Sequence, residues 1–265
     1  MSRPPAGNAK CELQRHMKPQ IKLATAQTPD GGEMELYQHD GDFLIKINGQ
    51  GLMNSRHHES EQELARLGCA NLSGRHAPRV LIGGLGMGYT LRQTLDILGP
   101  SAQVVVSELL TAVVYWHREY LKDLNGGALD DKRTHLITGD IFQLLSQSID
   151  RFDAILLDVD NGPRAITDSG NHRLYSPMGI QACRRALRKG GSLAIWSSEP
   201  SQVFEQLLIS GGFNVQRYRA KAYQGGNAKP FFIWVAAEDK TLLPSGGDEP
   251  RLHNKKAPRQ SRRNT

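Results

Sequence analysis

The sequence predicts an α/β fold: a doubly wound, mostly parallel, Rossmann-like sheet preceded by a small antiparallel β subdomain. Three observations predict it. Apolar runs alternate with helix-length stretches from residue 79 to residue 237, the pattern of a sheet with helices on both faces. The first run, Val80-Leu81-Ile82, breaks into Gly83-Gly84-Leu85-Gly86-Met87-Gly88 and then into a helix-like stretch from Leu91 to Leu98. Ahead of it lie short alternating runs parted by Gly- and Asp-rich turns, which read as antiparallel strands.

Taken in order, residues 1–18 are expected to be a disordered basic N-terminus. Residues 19–55 form the β subdomain, with strands Ile21–Ala24, Glu33–Tyr37 and Phe43–Ile47 parted by Pro29-Asp30-Gly31-Gly32 and Asp40-Gly41-Asp42. Residues 56–239 form the main domain. It opens with a helix over 59–72, where Leu64, Leu67 and Leu72 hold helical spacing and Arg75-His76-Ala77-Pro78 follows as a break. Strands are predicted at 79–83, 103–107, 134–137, 152–158, 191–197, 214–220 and 231–237, with helices near 88–98, 111–121, 141–147, 177–187 and 200–211. The last two strands, joined through Tyr223-Gln224-Gly225-Gly226-Asn227, are close enough for an antiparallel hairpin at the sheet edge. Residues 240–265, with Lys255-Lys256 and Arg262-Arg263, have the composition of a disordered basic tail.

With 265 residues, 38% hydrophobic and 23% charged, the chain suits one large domain with an appendage. No apolar run approaches the roughly 20 residues that cross a bilayer, and no hydrophobic signal segment follows Met1, so a cytoplasmic location without membrane contact is expected. Cys11, Cys69 and Cys183 are odd in number and far apart, which argues for free thiols and against a metal site. The net charge of +6 resides at the ends: residues 1–18 carry +3 and residues 240–265 carry +5. The middle is slightly acidic, so nucleic acid is expected as a partner only through the basic tail.

The glycine-rich turn between a strand and a helix is the pattern of a nucleotide-binding loop. Gly84, Gly86 and Gly88 can adopt backbone angles closed to other residues and let the main chain approach a ligand. The next strand ends at Glu108, an acid about twenty residues beyond the glycines, where a carboxylate can accept both hydroxyls of a ribose. Asp140 follows the third core strand and can accept from an adenine amino group, or cap the helix after it, while Ile141 packs on the ring. The buried run Asp153–Leu157 ends in Asp158-Val159-Asp160-Asn161, which presents two carboxylates at the strand end.

This order of elements resembles the spermidine synthase family of aminopropyltransferases, built on the class I S-adenosylmethionine (SAM) methyltransferase fold, from about residue 33 to 237. The motifs that carry it are Ile82-Gly83-Gly84, Glu108, Gly139-Asp140, the Asp158 strand leading to Gly162-Pro163, Leu174-Tyr175, and Ala186-Leu187-Arg188-Lys189-Gly190-Gly191. The resemblance implies that Glu108 holds the ribose, Asp140 and Ile141 the adenine, and Gly83, Gly84, Gly86 and Gly88 the rest of the nucleoside. Three departures stand out. Gly86 occupies the place of a loop aspartate that pairs with the donor's amino group, and Glu61 that of a tyrosine ahead of the first core strand. The family's Asp-Ser-Ser/Thr-Asp-Pro segment is shortened, so its second aspartate falls on Asp160 or on Asn161.

The expectation is a transferase using SAM or decarboxylated SAM as co-substrate, without a metal, moving an aminopropyl group to a small amine. Asp160 is the expected base, with Asp158 orienting the donor or the acceptor, since neighbouring carboxylates raise one another's pKa and attract a cationic amine. Glu61, His58 and Tyr175 are candidates to line the substrate site. A SAM-dependent methyltransferase and a non-catalytic nucleoside-binding or RNA-associated protein are the alternatives, and a homodimer is left open.

Overall fold

The computed structural model describes residues 19–159, 171–221 and 229–250. The small sheet is antiparallel and contains β1 (Ile21–Gln27), β2 (Glu33–His39), β3 (Asp42–Ile47) and β4 (Gln50–Asn54), in that spatial order. Strand β4 went unpredicted because Gly49 and Gly51 break its alternating pattern. Asp40-Gly41 and Asn48-Gly49 both have positive φ at each residue, so they close β2–β3 and β3–β4 as tight two-residue turns.

The main domain continues as α1 (Glu59–Gly68), β5 (Arg79–Gly83), α2 (Tyr89–Ile97), β6 (Gln103–Glu108), α3 (Thr111–Glu119), β7 (Thr134–Thr138), α4 (Ile141–Ser146) and β8 (Phe152–Leu157). Then come α5 (Pro177–Ala186), β9 (Leu187–Ser197), α6 (Gln202–Ser210), β10 (Asn214–Ala220) and β11 (Phe231–Ala237). The seven strands lie in the order β10-β11-β9-β8-β5-β6-β7. Strands β9-β8-β5-β6-β7 are parallel, and β11 and β10 add antiparallel pairs at one edge. The turn expected at Tyr223–Asn227 lies outside the described residues.

Side chains alternate between two cores, as a sheet covered on both faces requires. Val80, Ile82, Val104, Val106, Ala154 and Leu156 enter one core with Leu64 of α1, Leu91 of α2 and Met34, Leu36 and Ile45 of the small sheet. Leu81, Val105, Ile155 and Leu157 enter the other with Leu145, Ile180 and Leu208 of α4, α5 and α6. The small sheet thus shares a core with the main domain, each fully buried Leu or Ile contributing about 1.5–3 kcal/mol.

Three boundaries differ from expectation. Helix α1 stops at Gly68 instead of residue 72, where it presses on β8 so closely that a Cβ on Gly68 would lie 2.0 Å from Leu156 Cδ2. Strand β9 begins at Leu187 and runs through Gly190, whose φ of 75° accompanies a register shift against β8. The tail does not become unstructured at Lys240. Asn71 donates to the Leu242 carbonyl, the Tyr218 hydroxyl donates to the Pro244 carbonyl, and Arg217 and Asp248 exchange backbone hydrogen bonds of 2.9 and 2.8 Å. These contacts fasten residues 240–250 to the edge strand β10 and to the turn after α1, largely through backbone carbonyls and N–H groups, with Leu243 packed against the core. Among the described residues no helix is long and apolar enough to cross a membrane.

Candidate active site

The sheet reverses direction of winding at β5, because the chain proceeds from β5 to β6 and β7 on one side and returns to β8 on the other. A crevice opens at the carboxyl ends of strands at such a point. Gly83 ends β5 there, and its carbonyl accepts from Asp158 N at 2.8 Å. The next glycine makes that approach possible: Gly84 has φ 87°, and a Cβ on it would stand 2.3 Å from the Asp158 carbonyl oxygen. Gly86 has φ 52°, and a Cβ there would meet nothing closer than Met53 Sδ at 3.8 Å, so its surroundings stay open. Gly88 precedes α2 at φ 83°.

The loop is held from both sides. Glu108, 6% exposed, accepts from Leu85 N through Oε2 and from Leu110 N through Oε1, each at 2.8 Å. Burial pushes its carboxyl above the usual range, and the backbone N–H groups oppose that shift. Each oxygen keeps a lone pair for a further donor. Opposite, His117 Nε2 lies 2.8 Å from the Gly86 carbonyl, and Asn125 Nδ2 donates to the Met87 carbonyl at 3.3 Å.

Two more acids meet at the crevice. Asp158, just past β8, accepts from the Thr90 hydroxyl at 2.6 Å, and Glu61 of α1 accepts from the Ser60 hydroxyl at 2.5 Å. Protein encloses both carboxyls except on the crevice side. Burial raises the proton affinity of each, and the charge of Asp158 raises that of Glu61 further.

Asp140 does cap α4, accepting from Phe142 N at 2.8 Å, and its second oxygen pairs with Arg173 at 2.6 Å. The Arg173 guanidinium also lies over the Phe142 ring, 4.9 Å from its centroid. Arg173 and Tyr175 belong to one short 3-10 turn, Asn171–Tyr175. The Tyr175 hydroxyl donates to the Val159 carbonyl at 3.1 Å, and its ring meets Phe204 edge-on at 5.4 Å.

A cavity of about 450 Å³ opens beside these groups, between the main sheet and the small one. That volume falls in the usual range for small-molecule sites. Its walls include Gly84 to Tyr89, Glu108, Asp140, Ile141, Asp158 and Glu61, together with Thr28, Pro29 and Asp30 of the β1–β2 turn and Trp196 at the end of β9. Thr28 and neighbouring backbone N–H groups hold Asp30 below the ordinary carboxylate range. The Trp196 indole N–H is buried without a partner among the described residues. Five acidic residues, Asp30, Glu61, Glu108, Asp140 and Asp158, line this cavity, Asp140 with its carboxylate paired to Arg173, and no Lys, Arg or His of the described residues lines it.

Two candidates are displaced from the wall. Tyr175 supports the strand end from the second core instead of closing over the cavity, because its hydroxyl and ring are both engaged there. His58 stacks on Tyr89 with centroids 4.2 Å apart, and its Nδ1 lies 3.1 Å from the Ser55 carbonyl, which turns it into a brace behind the wall that Tyr89 forms. Asp160 lies outside the described residues. Thr90, His117, Asn125, Arg173 and Trp196 carried no sequence signal, since each acts through a partner distant in the chain. No group of three potential metal ligands occurs among the described residues.

The model of the spermine/spermidine synthase domain matches residues 62–217, more than half of the chain. The chain belongs to the spermine/spermidine synthase family. A polyamine aminopropyltransferase of Saccharolobus islandicus is 34% identical over 122 residues, covering 46% of this chain and 39% of that protein. Polyamine aminopropyltransferase 1 of Pseudomonas aeruginosa is 32% identical over 133 residues, covering 49% and 44%. The matched segments thus span less than half the length of these relatives. Among solved structures, a spermidine synthase in complex with the transition-state analogue AdoDATO superposes with a TM-score of 0.67 at 18% identity, over 84% of this chain and 75% of that one. The spermidine synthase of Thermotoga maritima gives the same TM-score at 17% identity, with the same coverage. As likenesses at low identity, these two establish the fold. Two positions of this chain have a clear setting: Gly86 leaves open space in the loop, and Glu61 places a carboxylate near Asp158.

Proposed function

We propose that this chain transfers an aminopropyl group from decarboxylated SAM to a small amine. The observation that carries the reading is the acidic lining of the cavity: Asp30, Glu61, Glu108 and Asp158 border it without an ion-pair partner among the described residues, Asp140 borders it paired with Arg173, and no basic side chain of the described residues lines it. SAM keeps a carboxylate that its decarboxylated form lacks. Placed about 4 Å from one of these acids, it would be disfavoured by roughly 1–4 kcal/mol, the range from bulk water to a partly wet site. That argues against the methyl donor on this scaffold. A cationic donor and a cationic acceptor are both attracted.

The residues present fit a nucleoside. Glu108 has lone pairs left for two ribose hydroxyls, Asp140 and Ile141 suit the base, and the backbone from Gly83 to Gly88 supplies close approach without side chains. Asp158 and Glu61 suit the ammonium end of the donor or acceptor.

The donor supplies a carbon bound to a sulfonium, a leaving group that needs no further activation. What the protein contributes is orientation and removal of a proton. The neutral amine nitrogen forms a bond to that carbon, the C–S bond breaks, sulfur keeps the electron pair as a neutral thioether, and the nitrogen gives its extra proton to a carboxylate. That acceptor is assigned to Asp160 on the sequence alone. Asp158, held by Thr90, orients the reacting groups.

Titration calorimetry with decarboxylated SAM, SAM and methylthioadenosine tests the reading. Decarboxylated SAM is expected to bind tightest, by tenfold or more over SAM. Equal or tighter binding of SAM would contradict it.

A further inference from the structure

We propose that His117, acting with Asn125, is a positioning residue that holds the glycine loop in its ligand-ready shape, and that it does so only as the neutral tautomer with hydrogen on Nε2. The inference rests on the nucleoside-binding reading above, and it concerns a buried pair on the side of the loop that faces away from the cavity.

The two neighbours of His117 dictate its protonation. Nε2 lies 2.8 Å from the Gly86 carbonyl oxygen, which only accepts, so Nε2 carries the hydrogen. Nδ1 lies 3.1 Å from Asn125 Nδ2, which only donates, so Nδ1 is bare. The Asn125 amide is itself oriented, because its Oδ1 accepts from Ala128 N at 3.2 Å and its Nδ2 donates to the Met87 carbonyl at 3.3 Å. Both residues are nearly inaccessible, His117 at 2% and Asn125 at 3% exposure.

Consecutive carbonyls, those of Gly86 and Met87, are therefore drawn toward α3 and the 3-10 turn Lys122–Asn125 that follows it, while Glu108 takes the Leu85 N–H on the opposite flank. Gly88 is required by this pair as much as by its own φ: a Cβ there would stand 2.3 Å from Asn125 Nδ2 and 2.9 Å from His117 Cε1. A proton added at Nδ1 would set an N–H against the Asn125 NH2, donor against donor, and release the loop.

Burial favours the neutral ring, lowering its pKa, while the Gly86 carbonyl opposes that shift. The charged groups on this side are Arg118 and Lys122, which share a small cleft with His117, and Asp130, which pairs with Lys122 at 3.0 Å. Arg92 of α2, paired with Asp96, approaches Gly126, and Glu108 lies across the loop. No carboxylate is hydrogen-bonded to the ring among the described residues.

The test compares the wild type with His117→Ala and His117→Gln, since a glutamine amide can replace the Nε2–H donor and does not titrate. Without ligand, hydrogen exchange at residues 84–88 is expected to speed up in His117→Ala, with strands β5, β6 and β8 still protected, and to return toward wild type in His117→Gln. Methylthioadenosine, which has no aliphatic amine to titrate, is expected to bind roughly tenfold to a hundredfold more weakly to His117→Ala, the effect of a buried acceptor left unpaired. Below the ordinary histidine value of 6.5, wild-type affinity is expected to fall more steeply than that of His117→Gln, which keeps only the acid dependence of the cavity carboxylates. Unchanged exchange in His117→Ala, or the same acid loss in His117→Gln as in the wild type, overturns the inference. If His117→Ala does not fold, the comparison of acid loss in His117→Gln with that in the wild type decides: a shallower loss supports the clamp and an equal one overturns it. Absence of methylthioadenosine binding to the wild type at every pH overturns the nucleoside reading itself, whereas loss of the exchange effect alone overturns only the clamp.

Discussion

Glu61 and Asp158 face one cavity from two different elements, and Thr90 joins them: its hydroxyl donates to Asp158 Oδ2 at 2.6 Å and lies 3.4 Å from the Glu61 carbonyl oxygen. An acid pair enclosed this way binds protons more tightly in the folded protein than in the unfolded chain. Among the described residues no cationic side chain lines the cavity beside it.

That enclosure sets the sign of a pH effect. Because both folded-state pKa values are raised, the native state holds more protons than the unfolded state, so this pair's contribution to stability falls as pH rises from the ordinary Glu value of 4.5 toward neutrality. Glu61→Gln is expected to flatten that fall and to raise Tm at neutral pH. Thermal melts from pH 4 to 8 check it, and parallel curves for the two proteins would contradict it.

The two loop glycines are expected to differ. Gly84→Ala combines a positive φ with a collision at the Asp158 carbonyl, whereas Gly86→Ala incurs only the positive φ, about 1–2 kcal/mol. Urea denaturation should show Gly84→Ala losing clearly more stability than Gly86→Ala; equal losses would mean that the loop does not approach β8 as described.

Truncation separates the docked strap from the last fifteen residues of the chain. Removing residues 251–265 is expected to leave Tm unchanged, and removing residues 240–265 to lower it, because the second deletion also removes the contacts of Leu242, Pro244 and Asp248 with Asn71, Tyr218 and Arg217. Identical melting of the two truncations would show that the strap contributes nothing.

What could be read in advance was whatever repeats along the chain. The apolar runs that form the core strands are visible as a pattern, and so are the glycines and the acid at Glu108, whereas the sorting of Val80 and Ile82 from Leu81 onto opposite faces appears only in the folded sheet. The cap at Asp140 was legible because its partner, Phe142 N, is two residues away. The rest depends on partners far apart in sequence: His117 with Gly86, Arg173 with Asp140, Thr90 with Asp158. The setting of Tyr175 depends on the same kind of distant partner, since its hydroxyl finds the Val159 carbonyl only after the chain has folded back.

Removing a carboxylate while keeping its shape tests the proton-transfer step. Asp160→Asn is expected to lower turnover by roughly 10²–10⁴-fold with little change in donor affinity. Asp158→Asn is expected to weaken both, because Asp158 borders the donor loop and the acid pair alike. Steady-state rates together with calorimetric donor affinities distinguish the two, and full turnover in Asp160→Asn would remove that residue from the mechanism.

The most direct measurement is the product itself. Incubated with decarboxylated SAM and a panel of small diamines and polyamines, the protein is predicted to yield methylthioadenosine and an amine heavier by one aminopropyl group, both read by mass spectrometry. A methylated amine formed from SAM, with no aminopropyl product from the decarboxylated donor, would contradict the account.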